Sequence, residues 1–220
     1  MTDTASTRIT GVVILATSVL AIALLLNHPA EHATDFPGFL KEAAANRTLN
    51  AIVHGGFVLL LTIQIVCYAV LSRTLGFARA LSIAGIVFFS TGAAIEIADL
   101  LVDGLMIPAM AQRYLTAPPE QLTSARALFS LCGTAIRILM PLGLGFQAAA
   151  VVAWGASMMP EARGTGLLAV AFGLLAFSAN VAAATTGAQH LSLVAIVLLD
   201  LWAAATGVFL MRRGGVRSPF

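Results

Sequence analysis

Between Arg163 and Arg212 the chain runs for 48 residues with a single charge, Asp200. As one helix that stretch would be ~72 Å long, more than twice the ~30 Å hydrocarbon thickness of a bilayer. It is expected to fold back on itself inside a membrane, at the polar, glycine-containing Thr185-Thr186-Gly187-Ala188-Gln189. Residues 9–26 and 48–72 also lack Asp, Glu, Lys and Arg altogether. With only 10% charged residues in the whole chain, against ~25% in ordinary soluble domains, water would meet apolar patches far beyond tolerance.

The fold class that follows is all-α: a polytopic membrane protein, one integral membrane domain over residues 1–220, built as a six-transmembrane-helix bundle. Spans are expected near 9–27, 49–72, 80–107, 123–159, 164–185 and 190–211. Pro108 is expected to end the third. The fourth is too long for one straight crossing, so its start extends beyond the lipid. Arg8 and the ~18-residue apolar run after it read as a first span rather than a cleaved signal peptide. Residues 35–46 mix Phe and Leu with charges in the manner of an interfacial helix, and residues 117–126 read as a proline-started extension of the fourth span.

Lys and Arg set the orientation. One side carries Arg8, Arg73, Arg79, Arg163, Arg212, Arg213 and Arg217; the other carries Lys41, Arg47, Arg113 and Arg126, which share their loops with Glu31, Asp35, Glu42 and Glu120. That bias places both termini in the cytoplasm of a bacterial-type inner membrane, with the lipid bilayer as first partner. The net charge of +2 is dispersed, with no basic strip to track a phosphate backbone, which argues against nucleic acid. Small residues recur within the spans and suit close helix packing, a homo-oligomer included. Cys67 and Cys132 fall at different depths and read as buried thiols rather than a disulfide.

Counting residues from the cytoplasmic arginine of each span gives depth. His28 lies 20 beyond Arg8, His54 lies 19 before Arg73, Asp99 lies 20 beyond Arg79, Asn180 lies 17 beyond Arg163, and His190 lies 22 before Arg212. At 1.5 Å per residue all five sit ~26–33 Å from the inner face, in one layer near the outer hydrocarbon boundary. The most informative motif is Glu96-Ile97-Ala98-Asp99-Leu100-Leu101-Val102-Asp103, whose acids at i, i+3 and i+7 share one helical face. Glu96 is the deepest, and its expected counter-charge is Arg137, four residues before Pro141, where the proline should leave a carbonyl free and kink the helix. Asp200 is a second intramembrane acid, at mid-depth.

Three function classes fit this layer. The first is a periplasm-facing intramembrane pocket for a cation or small polar ligand, built from Glu96, Asp99, Asp103, Arg137 and Asn180 and, in a proton-linked transporter, extended inward by Asp200. The second is a membrane-embedded enzyme acting on a lipid-like or quinone-like substrate, dependent on zinc, copper or iron, or on haem. Its metal ligands would be His54, His190, Glu96 and Asp99, with His28 and His32 as second choices. The third is a non-catalytic scaffold or partner subunit in which these groups serve only packing. No His-Glu-x-x-His, Gly-x-Ser-x-Gly, Cys-x-x-Cys or phosphate-binding glycine loop is present, so no motif decides among them.

Overall fold

The computed structural model describes residues 4–29 and 32–213; Glu31 and Arg217, two of the charges that set the orientation, lie outside the described residues. The described chain is helical, in the order α1 (Thr4–Leu26), α2 (Phe36–Ala45), α3 (Arg47–Leu75), α4 (Ala80–Leu101), a π-helical turn (Val102–Met106), α5 (Ile107–Tyr114), α6 (Pro119–Met158), α7 (Arg163–Thr186) and α8 (Gln189–Arg213). Six helical rods are long and apolar enough to cross a membrane: α1, α3, the continuous rod Ala80–Tyr114, α6, α7 and α8. Two glycines reverse the chain between spans. Gly76 (φ 98°) ends α3 and Gly187 (φ 71°) ends α7, both in the left-handed region that only glycine enters cheaply, and the second is the fold-back demanded by the long apolar run.

Pro108 does not end the third span. The helix passes through it and continues to Tyr114. A proline inside a helix removes one hydrogen bond and crowds the carbonyl four residues back; here the wider π turn at Val102–Met106 precedes it, and Pro108 falls in the first turn of α5. The 40 residues of α6 make a rod of ~60 Å, also through an internal proline, Pro141, so its first turns stand beyond a ~30 Å core.

Consecutive spans pack as neighbours, α1 on α3, α3 on α4, α4 on α6, α6 on α7 and α7 on α8, and α8 closes the ring on α1. Close approach needs small residues. A Cβ on Gly92 of α4 would lie 2.6 Å from the Gly143 carbonyl of α6, so only glycine lets those backbones meet. The ring encloses an axis, and aromatics from four helices fill its lower half: Tyr68, Phe89, Trp154 and Trp202, with Trp154 and Trp202 stacked at 5.5 Å. The Trp154 indole N–H, buried with this cluster, donates to the Ser72 hydroxyl at 2.8 Å.

The contact of Gly11 with Gly207 and Met211 puts the start of α1 beside the end of α8, so both lie on one face, here called the terminal face. There Glu161 accepts from Arg79 at 2.6 Å and from Arg213, tying the α3–α4 and α6–α7 connections to the end of α8. Burial alone would raise the Glu161 carboxyl, but the two arginines outweigh it and hold the group below its ordinary value. At the far face α2 is a helix, as its composition indicates, started by Asp35, whose carboxylate accepts from Gly38 at 2.7 Å. It packs with α5 and the first turns of α6 around Leu40, Ala111, Ala125 and Phe129, with the Arg126 guanidinium 5.0 Å from the Phe36 ring.

Candidate functional site at the far end of the bundle

Three side chains from three elements converge near the far face. His54 lies seven residues into α3, His28 follows the end of α1, and Asp103 is on the π turn. His54 Nε2 is 3.1 Å from Asp103 Oδ2 and 3.3 Å from His28 Nε2, and one ligating atom from each of the three lies within 4.8 Å of the others. Two features of sequence create this approach. Gly104 lies directly against His54, where a Cβ would fall onto the histidine side chain, and the π turn re-aims Asp103 relative to the regular helix that carries Glu96 and Asp99.

The histidine tautomers follow from the backbone. His54 Nδ1 is 3.0 Å from the Asn50 carbonyl and His28 Nδ1 is 3.0 Å from the Pro29 carbonyl. A carbonyl only accepts, so each Nδ1 carries a proton, and each Nε2 is the nitrogen turned toward the cluster. Without a metal ion, a proton on His54 Nε2 donates to Asp103 and makes the pair ionic. With that proton gone, two imidazole lone pairs and a carboxylate oxygen are left facing one another, a set that a metal ion can occupy. At His28, burial first and then the neighbouring His54 hold the imidazole below its ordinary value, which keeps the lone pair free at neutral pH.

One turn deeper, Asp99 is 7% exposed, close enough to His54 and Asp103 to feel their charge, and its Oδ1 has no hydrogen-bond partner among the described residues. Deeper again, Glu96 accepts from Gln147 of α6 at 2.7 Å. Beyond Gln147 lies a cavity of about 30 Å³ lined by Gln64, Tyr68, Phe89, Gln147, Val151, Leu199, Asp200, Trp202 and Ala203. The acid stripe of α4 thus leads from the far face to the bundle axis.

Several expected members stand elsewhere. Arg137 does not pair with Glu96: it is exposed on α6, and its guanidinium reaches only Thr134, at 3.4 Å. It lies ~32 Å from the terminal end of α6, at the far hydrocarbon boundary, where a long cationic side chain reaches headgroup water. His190 is exposed at the start of α8 and is not among the three converging residues. His32 is exposed, and its backbone N–H donates to Glu42. Asn180 is buried but serves α6, donating to the Pro141 carbonyl at 2.7 Å, with its own Oδ1 unpartnered among the described residues. Sequence reasoning missed Gln147, although it is the one amide side chain in the apolar half of α6, and it missed Gly104, whose role depends on which side of α4 meets α3. No protein family, no curated protein and no solved structure matches this chain.

Proposed function

We propose that this chain is a multi-pass inner-membrane protein, both termini cytoplasmic, that captures a divalent transition-metal ion from the periplasmic side for proton-linked passage toward the bundle interior. The ligands are His28 Nε2, His54 Nε2 and Asp103, with the Asp99 carboxylate beneath them. The observation that carries this reading is the convergence of two imidazole Nε2 atoms, each ring held by a carbonyl at its other nitrogen, on a carboxylate oxygen. Metal-binding histidines use that same outer bond to set tautomer and ring direction. The spacing agrees: a tetrahedral ion with ligands at ~2.1 Å holds them ~3.4 Å apart, and two of the separations here are 3.1 and 3.3 Å.

Mixed nitrogen and oxygen donors favour zinc, iron or copper over calcium or magnesium. Three protein ligands leave a coordination position open, as in sites that exchange or use their ion rather than sites that only brace a fold. The acids that descend from it, Asp99, Glu96 and then Asp200 in the cavity, supply carriers for the accompanying protons and favour passage over a reaction at the metal.

Protein purified without a histidine tag or chelator should carry near-stoichiometric zinc, copper or iron by elemental analysis. Each of His28→Ala, His54→Ala and Asp103→Asn should lose it, and His190→Ala should keep it. Wild-type protein that is metal-free and indifferent to added ions would overturn the reading. If the metal is lost in His190→Ala but retained in His28→Ala, the site is elsewhere.

A further inference from the structure

The cavity on the bundle axis has an unbalanced chemistry. Asp200 has neither a hydrogen bond nor an ion pair among the described residues, and no Lys, Arg or His lines the space. Gln147 uses its amide nitrogen on Glu96 at 2.7 Å and Gln64 uses its own on Thr17 at 3.4 Å. That network assigns the amide oxygens, which can only accept, to the remaining direction, and neither has a partner among the described residues. Gln64 and Gln147 are 7% and 6% exposed, and both line the cavity. The Tyr68 hydroxyl also lines the cavity and is near enough to Asp200 to sense its charge. One carboxylate, two amide oxygens and a phenol therefore surround a space that offers them one O–H and no cation, with Gln64, Gln147 and Asp200 at mid-depth, ~17–20 Å from the terminal ends of their helices.

We propose that this cavity is a binding site for a small monovalent cation, sodium, held by Asp200, Gln64, Gln147 and Tyr68. Two properties select the ion. All four donors are oxygen, the ligands of hard ions, and the soft or nitrogen donors that retain transition metals are absent. One carboxylate with neutral oxygens balances a single positive charge, and a divalent ion would be left half-compensated in a low-dielectric core. The space among them has room for an ion of water size. The site is distinct from the His28–His54–Asp103 cluster and does not depend on it.

The test uses the full-length protein in detergent, melted in sodium chloride and in choline chloride at equal ionic strength, with binding of radiolabelled sodium measured in parallel. Sodium should raise the melting temperature saturably and choline should not. Asp200→Asn should weaken sodium binding about tenfold or more, one carboxylate charge on a bare cation in the interior being worth at least that. Gln64→Leu, which leaves every carboxylate in place, should weaken it less and carries the test if Asp200→Asn does not accumulate. Both variants should still load metal at the outer site, and His54→Ala should lose metal while keeping the sodium response. Wild-type protein that takes up no metal but responds to sodium leaves this proposal standing and removes the outer one. Identical melting in sodium and choline, or a sodium response unchanged in Asp200→Asn and Gln64→Leu, overturns it and leaves a cavity that hydrates a neutral carboxyl.

Discussion

Gly104→Ala is the sharpest perturbation of the outer site, because it adds one methyl group and removes nothing. The new Cβ would fall onto Cβ and Cγ of His54 and within 2.7 Å of its Nδ1. His54 has little room to withdraw: it is 2% exposed, and its Nδ1–H is committed to Asn50 at 3.0 Å. Overpacking of this kind costs ~1–3 kcal/mol, and losing the Asn50 hydrogen bond adds ~1 kcal/mol, so ~2–4 kcal/mol is expected. In a chain of this length that lowers the melting temperature by roughly 4–16 °C. The assay is a thermal-melt cycle in detergent on wild type, Gly104→Ala, His54→Gly and the double variant. Because the clash begins at His54 Cβ, only glycine at position 54 relieves it, and the double variant should be far less damaged than the two single effects predict. Strict additivity, or a Gly104→Ala protein that melts with wild type, would refute the packing of the π turn against α3 and the route by which Asp103 reaches His54.

Three further outcomes are expected. Ser72→Ala leaves the Trp154 indole N–H without its acceptor inside the aromatic cluster and should cost ~1–3 kcal/mol in a denaturation titration; no loss would mean that another acceptor takes over. Glu161, whose carboxyl is held below its ordinary value of 4.5, stabilises fully above that value, and the contribution disappears as pH falls through the lowered folded-state value. The melting-temperature difference between wild type and Glu161→Gln should therefore be constant from neutrality to about pH 5 and shrink only below about pH 4.5; a difference that persists unchanged to pH 3 would refute the arginine clasp. Single cysteines at Gly76 and Glu120, in a background lacking Cys67 and Cys132, should label oppositely with an impermeant maleimide added to cells. Only the second should react, and the reverse would invert the orientation.

Topology was legible because charge is excluded from lipid: Arg73 with Arg79, and the single Arg163, mark the turns as plainly as the apolar runs mark the spans. Depth was legible in part, since rise per residue is fixed: counting placed His28 and His54 at one level, where they meet, but put Asp99 there too, whereas Asp103 joins them and Asp99 lies one turn deeper. Rotation about each helix was not. His190 and His28 have nearly equal depth, yet His190 is exposed at the start of α8 and His28 meets His54, because azimuth depends on which faces pack. Arg137 failed for the same reason, its depth being compatible with the acid stripe while its face is exposed. Pro108 was misread through a local rule that a π turn relaxes, and that same turn carries Asp103.

The ring of six helices also divides the protein in time. His28 just after α1, His54 in α3 and Asp103 in the α4–α5 rod belong to the first three spans to leave the ribosome, and all can meet before α6 exists. The inner cavity needs Gln147 from α6 and Asp200 from α8, so it cannot form until α8 has inserted and met α1. During synthesis the meeting of His28, His54 and Asp103 is the early event and closure of the seam the late one. A chain stalled after α5 would expose to lipid the Glu96 that α6 normally covers, a mark by which membrane quality control could tell an unfinished bundle from a finished one.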